Sequence, residues 1–299
     1  MSYKRRDFLK TTSAAIAITA VTGNLPGCKS KSSSMVGSAE GTLKEFGLQL
    51  YTLRDVMPKD PKGVLKQVAA MGYKQIESYE GDLGMFWGMK NTAFKKYMDD
   101  LGMQIVSSHC DINKNFETKA AEAGEIGMKY LICPSLDNEK TMDTDGYKKA
   151  AELFNRKGEI CKSNGLRFAY HNHDQTFVQR PGGFIPQEVL LKESDPSLVD
   201  FQMDIYWVVT GGQDPVTWLR KYPNRFTLGH IKDRKKNAHS SEKEVSVNVG
   251  EGSIDFKKVL NVAKNNGMKY YIVEQEKYEG STSLAAAKAN AEYLKKLKF

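Results

Sequence analysis

Five junctions along this chain each place a glycine directly after a segment with helical periodicity and directly before a short β-type segment. The residue that follows a helix often has left-handed backbone, and glycine adopts it without steric cost. The junctions are Met71-Gly72-Tyr73, Leu101-Gly102-Met103, Ile126-Gly127-Met128, Asn164-Gly165-Leu166 and Asn266-Gly267-Met268. Their recurrence predicts a repeated unit of one strand and one helix.

Eight β-type segments alternate with helical patterns from residue 46 onward. The predicted strands are Phe46–Tyr51, Tyr73–Ser78, Met103–His109, Lys129–Cys133, Leu166–His171, Val199–Met203, Phe226–His230 and Tyr270–Glu274, and the predicted helices include 61–71, 91–101, 115–127 and 144–164. Eight strands with mostly helical crossovers favour an α/β fold, a (β/α)8 TIM barrel, over an open doubly wound sheet. A barrel of about 250 residues fits this chain as one domain.

The N-terminal region is predicted to lie outside the barrel. Residues 1–27 carry Lys4-Arg5-Arg6-Asp7-Phe8-Leu9-Lys10 and then a weakly apolar stretch, which is typical of a cleavable twin-arginine export signal. Residues around Cys28 resemble a lipobox, which predicts possible membrane attachment through a lipidated Cys28. Residues 28–42 predict a flexible linker, and 43–299 form the barrel. The expected location is the periplasm or the cell envelope.

Charge and hydropathy indicate a small-molecule partner. Of the formal net charge of +8, the N-terminal segment supplies part, and no run of Lys and Arg alternates with aromatic residues as a nucleic-acid groove requires. No apolar run approaches the ~20 residues of a membrane-spanning helix. No phosphate-binding glycine motif follows the first strand, which argues against a nucleotide cofactor.

Four strands in the second half of the chain end in potential metal ligands. They are His171 or His173 after the fifth strand, Asp204 after the sixth, His230 after the seventh and Glu274 after the eighth. The C-terminal ends of parallel barrel strands meet on one face, so these side chains are expected to surround one pocket. Two imidazoles and two carboxylates suit manganese, zinc or cobalt better than cations that prefer all-oxygen ligands. Taken singly, a strand-end aspartate such as Asp204 is more often a helix cap than a metal ligand.

Further polar and aromatic residues are candidates for catalysis or substrate binding. Lys232 lies on the same side of its strand as His230 and is expected to bind an anionic oxygen, or else to form an ion pair in the barrel wall. Glu77 and Glu276 are candidate bases or salt-bridge partners. The candidate substrate-binding residues are His109, Trp87, Trp207, Arg54 and Glu276. For the two tryptophans, core packing is the alternative.

The cysteines predict neither disulfides nor a thiol nucleophile. Cys133 lies in an apolar strand and Cys161 in a helical segment, so both are expected to be buried apolar residues. Cys110 follows His109, but adjacent residues of a strand point to opposite faces.

Several motifs resemble those of the sugar phosphate isomerase/epimerase family, within the xylose isomerase-like TIM barrel superfamily. They are Gln49–Asp55, Tyr170–Asp174, Gly229–Asp233 and Gly250–Phe256, and the resemblance spans roughly residues 43–297. It implies a divalent metal, manganese in the first place, with zinc, cobalt or magnesium as alternatives.

The resemblance also assigns ligand positions. Asp204, His230 and Glu274 match three of the family's metal ligands. Epimerases carry glutamate at the fourth position, where this chain has His171 in the Tyr-His-x-His form of inosose-dehydratase-like members. We expect His171 to bind the metal and His173 to face the substrate, with the reverse assignment left open.

The implied activity is that of a sugar isomerase or epimerase that acts on a keto-sugar or glycoside through a metal-stabilised enediolate, with Glu274 and Glu77 among the catalytic residues. Because a histidine replaces the second glutamate, a lyase or dehydratase of a 3-keto-sugar or inosose is the alternative. A DNA-repair nuclease would need more than the five histidines present. A non-catalytic sugar-binding lipoprotein would keep the barrel without the metal.

Overall fold

The computed structural model describes residues 41–299. The predicted export signal, Cys28 and the linker up to residue 40 lie outside the described residues. Gly41 and Phe299 exchange two backbone hydrogen bonds of 3.1 Å, and Thr42 forms a bridge with Lys298. Gly41 and Thr42, the last two residues of the predicted linker, thus pair with the C-terminal residues, which the sequence does not reveal.

Eight parallel strands close into a barrel, which confirms the predicted fold. The barrel strands are β1 (Gly47–Gln49), β2 (Gln75–Tyr79), β3 (Gln104–His109), β4 (Tyr130–Cys133), β5 (Arg167–His171), β6 (Val199–Asp204), β7 (Phe226–Ile231) and β10 (Tyr270–Val273). A separate antiparallel pair, β8 (Asp233–Arg234) and β9 (Ser246–Val247), lies between β7 and β10 in the sequence. The ring closes where β1 pairs with β10, with Leu48 opposite Val273.

Helices follow most of the barrel strands. They are α1 (Pro61–Met71), α2 (Asn91–Asp100), α3 (Phe116–Glu125), α4 (Thr144–Ser163), α5 (Pro186–Glu193), α6 (Ile205–Thr210), α7 (Pro215–Lys221), α8 (Phe256–Asn265) and α9 (Ser283–Lys296). The first strand is shorter than predicted. A 3-10 helix starts at Leu50 because the Gln49 side chain accepts the Tyr51 N–H at 3.0 Å and caps the turn.

The main core lies between the barrel strands and the helices around them. Phe168 of β5 packs against Phe154 of α4 and Phe116 of α3, with ring centroids 5.2 and 6.1 Å apart. Cys133 and Cys161 are buried here, as predicted. Within residues 41–299, no helix combines the length and the apolar character needed to cross a membrane.

All five glycine junctions have left-handed backbone. The φ angles are 98° at Gly72, 66° at Gly102, 74° at Gly127, 74° at Gly165 and 97° at Gly267. At Gly165 an added Cβ would meet nothing within 4 Å, so conformation alone accounts for the glycine there.

Replacement of Gly165 by alanine is expected to lower the free energy of unfolding by about 1–2 kcal/mol, because an L-residue pays a steric cost in left-handed backbone. Gly165→Asn is the matched control, since asparagine tolerates this conformation better. Urea denaturation followed by circular dichroism measures the difference. Equal midpoints for wild type and Gly165→Ala would show that the junction carries no conformational strain.

Candidate active site

The C-terminal ends of the barrel strands open into a cavity of about 1090 Å³. Polar side chains from three strand ends line one part of it. They are His109 at the end of β3, His171 and His173 at the end of β5, and Glu274 and Glu276 after β10. The closed parallel barrel therefore brings together residues up to 167 positions apart, from His109 to Glu276, as predicted from the strand ends.

A buried carboxylate, Glu77, lies beneath this part of the cavity and accepts hydrogen bonds from four strands. Its partners are Gln49 Nε2 at 2.8 Å, Ser107 Oγ at 2.6 Å, His109 Nε2 at 3.1 Å, Gln202 Nε2 at 2.7 Å and His230 Nε2 at 2.6 Å. We call these six residues the Glu77 network. Gln49 and Ser107 lie directly opposite Glu77 in the strand register, which explains why their side chains meet it.

The Glu77 network determines which ring nitrogen each histidine leaves available. An ionised carboxylate only accepts, so Gln202 must turn its amide nitrogen to Glu77 and its oxygen away. That oxygen lies 2.9 Å from His171 Nδ1, which therefore carries the proton and leaves Nε2 with a free lone pair. Likewise His230 donates through Nε2 to Glu77, which leaves Nδ1 as its ligand atom.

Asp204, His230 and Glu274, here called the metal group, offer ligand atoms within 4.8 Å of one another. His230 Nδ1 lies 3.3 Å from Glu274 Oε2 and 3.7 Å from Asp204 Oδ2. Ligand atoms about 2.1 Å from a shared cation are roughly 3.0–3.4 Å apart at octahedral or tetrahedral angles. Neither His230 Nδ1 nor Asp204 Oδ2 has a hydrogen-bond partner among the described residues, although both are buried. The three residues therefore fit a divalent metal ion.

Asp204 caps a helix and still has an oxygen that suits a metal, so both alternatives that the sequence left open are compatible with its position. Its Oδ1 accepts the Trp207 N–H at 3.0 Å and caps α6, while Oδ2 faces His230. Both functions are compatible because a carboxylate has two oxygens.

Burial and charge act in opposite directions on the metal group. Burial lowers the pKa of His230, but Glu274 and Glu77 outweigh it and raise that pKa well above its ordinary value. Burial raises the pKa of Glu274, but Lys232 and His230 hold it well below its ordinary value. A cation bound here would take the place of a proton on His230 Nδ1, because either one puts a positive charge beside Asp204 and Glu274.

A second group of potential ligands, His109, His171 and His230, fits a metal less well. His109 Nε2 and His171 Nδ1 both contact Gln202 Oε1, at 2.8 and 2.9 Å, and His230 Nε2 contacts Glu77. The ring of His171 lies 4.9 Å from that of His109 and 4.8 Å from that of His230, and its Nε2 is the atom left for a ligand.

Lys232 lies between two carboxylates, one of which, Glu274, also lies beside His230. This agrees with the prediction that Lys232 points to the same side of its strand as His230. Its Nζ is 3.3 Å from Glu274 Oε2 and also bonds Glu276, which lines the cavity. Burial lowers the pKa of Lys232, but Glu274 and Asp204 outweigh it and raise that pKa. A buried, charged ammonium therefore stands next to the metal group.

His173 is a neutral group in the cavity wall. Burial lowers its pKa to about 4, and its Nδ1 has no hydrogen-bond partner among the described residues. Its ring lies 5.0 Å from that of His171 and 5.4 Å from that of Trp207. The same side of β5 therefore presents two neutral imidazoles, as the alternation predicted.

Seven predicted site residues do not line the cavity. Asp204, His230, Lys232 and Trp207 lie next to residues that do, and the other three have different surroundings. Glu77 is fully buried and positions other side chains, so the structure does not support the prediction that it is a catalytic base. Trp87 is buried beneath Tyr79, with its Nε1 bonded to Ser78, because the Glu80–Lys90 loop folds inward. Arg54 bonds the Glu276 backbone oxygen at 2.8 Å and so supports the strand end from outside.

Sequence analysis missed several members of the site. Gln202 is two residues before Asp204, and the period-two alternation of strands would have placed it on the same inner face. Tyr51 and Tyr79 line the cavity with ring centroids 5.3 Å apart, and only the structure brings them together. Cys110 also lines the cavity, but burial raises the pKa of its thiol to about 12, which argues against a nucleophile.

Comparisons with known proteins agree with this geometry. The model of the family described as xylose isomerase-like TIM barrel matches residues 65–297. An inosose dehydratase of Clostridium tetani is 29% identical over 73% of this chain and 74% of its own length. Inosose dehydratase 2 of Bacillus cereus is 27% identical over 79% of this chain and 82% of its own length.

The crystal structure of a sugar phosphate isomerase/epimerase from Parabacteroides distasonis is similar over most of its length. It is 32% identical, with a TM-score of 0.72, over 87% of this chain and 96% of that chain. The family match covers most of the barrel, including the strand ends that carry the metal group. The chain therefore belongs to the xylose isomerase-like TIM barrel family and, like these relatives, is an enzyme.

Proposed function

We propose that this enzyme is a metal-dependent lyase or dehydratase that removes a β-substituent from a keto-sugar or an inosose. The observation that carries the proposal is the metal group, in which two buried ligand atoms lack a hydrogen-bond partner among the described residues. Two neutral imidazoles lie beside it in the cavity wall. The names of the inosose dehydratase relatives support elimination as the reaction.

Asp204, His230 and Glu274 would hold the metal, with His171 Nε2 as the further nitrogen near it. When bound, a divalent cation supplies Lewis acidity to a substrate carbonyl and makes the neighbouring C–H more acidic. Manganese remains our first choice, since the mixed nitrogen and oxygen ligands suit manganese, zinc or cobalt.

The chain's own residues then position the substrate and move its proton. Lys232 supplies a fixed positive charge beside Glu274 and is suited to bind a substrate oxygen that gains negative charge. His173 and Glu276 line the cavity next to the metal group and are the groups within reach of a C–H and of a departing oxygen. Trp207 packs under Lys232, whose Nζ lies 4.9 Å from its ring centroid.

The isomerase or epimerase that the sequence predicted first has less support than the elimination it predicted as the alternative. Epimerisation needs a base on each face of the sugar, and β5 offers His171 where an epimerase has its second glutamate. The similarity to a sugar phosphate isomerase/epimerase keeps it as the second candidate.

We predict that Asp204→Asn lowers metal affinity and activity at least about 100-fold, because it removes one charged ligand atom. The barrel should still fold, since asparagine Oδ1 can keep the Trp207 cap. Metal analysis and thermal denaturation with and without a chelator give the readout. The chelator should lower the melting temperature of the wild type only.

Asp214→Asn is the matched control for this experiment. Asp214 caps α7 through Val216 and Thr217 at the surface, so the same substitution changes a helix cap without touching the metal group. This variant should keep its metal. Normal metal occupancy in Asp204→Asn would refute the assigned site.

The reaction type is tested by incubating the metal-loaded enzyme with inososes and 3-keto-glucosides in deuterated water. We expect a product that has lost water or the aglycone, detected by mass spectrometry, because the proton next to the carbonyl leaves together with the β-substituent. Deuterated substrate with inverted configuration and no loss would favour an epimerase. Absence of both outcomes with all these substrates would count against carbonyl chemistry.

We further propose that the protein is exported by the twin-arginine route and is attached to a membrane through Cys28. Support comes from the Arg5-Arg6 pair and the following lipobox-like residues. Replacing both arginines by lysine should leave the protein in the cytoplasm, because the pair is read as an address. Unchanged fractionation of this variant would show that these residues are not an export signal. Cys28→Ala should release exported protein from the membrane.

A further inference from the structure

The cavity continues well beyond the metal group. Its volume of about 1090 Å³ exceeds the roughly 300–1000 Å³ of pockets that hold drug-sized ligands, and a single sugar ring is smaller than such ligands. The remaining space lies toward β3 and β4, which stand directly opposite β7 and β10 in the eight-stranded ring. A substrate that extends from the metal group to the β3 and β4 side must therefore carry a second group besides its sugar ring.

The wall on the β3 and β4 side contains a group of apolar side chains among polar ones. Ile112 lies in the loop before α3, Leu136 and Met142 lie in the loop before α4, and Leu153 lies on α4. Ile112 is buried, and the other three are half-buried. We call these four residues the apolar subsite. These four side chains offer no hydrogen-bond partner to a sugar hydroxyl, whereas an apolar group placed against them would be removed from water.

The sequence of α4 is arranged to form this wall. Gly146, Lys149, Ala150, Leu153 and Arg156 all line the cavity, and their spacing places them on one face of the helix. At Gly146 an added Cβ would lie 2.2 Å from Met142 Cγ, so the glycine makes room for the Met142 side chain. The helix thus holds the apolar side chains at the cavity surface.

Charges at the rim do not indicate an ionic ligand. The lining there carries three acidic and three basic side chains, so the two signs are balanced: Glu80, Asp111, Asp137, Lys114, Lys149 and Arg156. A neutral apolar group fits this end of the cavity better than an anion or a cation.

We propose that the substrate is a keto-glycoside with a neutral apolar aglycone, which the apolar subsite binds while the keto-sugar lies at the metal group. This proposal rests on the proposed elimination and specifies its leaving group. The C–H bond next to the ketone breaks and its proton passes to a base of the enzyme. The electron pair forms a C=C bond, the C–O bond to the aglycone breaks, and the aglycone leaves as an alcohol after taking up a proton.

The test compares the hexyl and the methyl 3-keto-glucoside, which share a sugar and have alkoxide leaving groups of similar basicity. Wild-type enzyme is expected to show at least roughly tenfold higher kcat/KM for the hexyl compound, because the extra methylenes enter an apolar pocket. Leu153→Gln should remove most of this preference. It should leave kcat/KM for the methyl compound within about twofold, because the sugar end is unchanged.

Leu153→Met is the matched control, since it keeps an apolar side chain of similar size at the same position and should retain the preference. Leu136→Gln and Leu136→Met form a second pair on a loop, in case the helix variant folds poorly. Equal kcat/KM values for the two glucosides in the wild type, or a preference that survives both glutamine variants, would overturn the proposal.

Calorimetric binding of hexyl and methyl β-glucoside, which lack the ketone and cannot react, separates this proposal from the proposed function. If the subsite is wrong but elimination is right, the methyl keto-glucoside is still cleaved and the two unreactive glucosides bind equally. If elimination is wrong but the subsite is right, neither keto-glucoside is cleaved and the hexyl glucoside still binds more tightly.

Discussion

The active site depends on one buried carboxylate. Glu77 is fully buried and accepts hydrogen bonds from side chains of β1, β3, β6 and β7. Because it can only accept, it orients Gln202 and, through Gln202 and His230, determines the nitrogen that each neighbouring imidazole presents. A buried charge with this many partners is costly to disturb, since loss of a buried charged partner commonly costs about 3–5 kcal/mol. The barrel interior is therefore ordered by a group that does not touch the cavity.

Glu274 is the acidic partner of both His230, in the metal group, and Lys232. Glu274 lies 3.3 Å from both His230 Nδ1 and Lys232 Nζ, so its charge is balanced on two sides. Asp204 divides its oxygens between the α6 cap and the metal group, so the start of α6 is tied to the ligand geometry. Trp207, on the first turn of that helix, packs against His173 and Lys232. Ligand position and cavity wall are consequently coupled through one short helix.

Much of the fold followed from local sequence signals because those signals have direct physical causes. Glycines with left-handed backbone follow the helices at the predicted positions. The alternation of side chains along β5 puts His171 and His173 on the same side. Local reasoning left alternatives open where a distant partner decides the outcome. Glu77 was predicted as a base or a salt-bridge partner, and Gln49, Ser107 and Gln202 surround it only once the barrel closes. Trp87 was predicted at a sugar face or in the core, and its loop turns it toward Ser78.

The sequence by itself determined the eight strand–helix units, the strand-end residues and the family, because strand period, glycine caps and motifs are properties of short segments. Only the tertiary structure decided which of those strand-end side chains form the metal group. It also decided that Glu77 orients the side chains around it, and where the apolar subsite lies. Those outcomes depend on closure of the ring, which sets β3 and β4 opposite β7 and β10 and brings residues more than 150 positions apart, such as Glu77 and His230, into hydrogen-bonding distance.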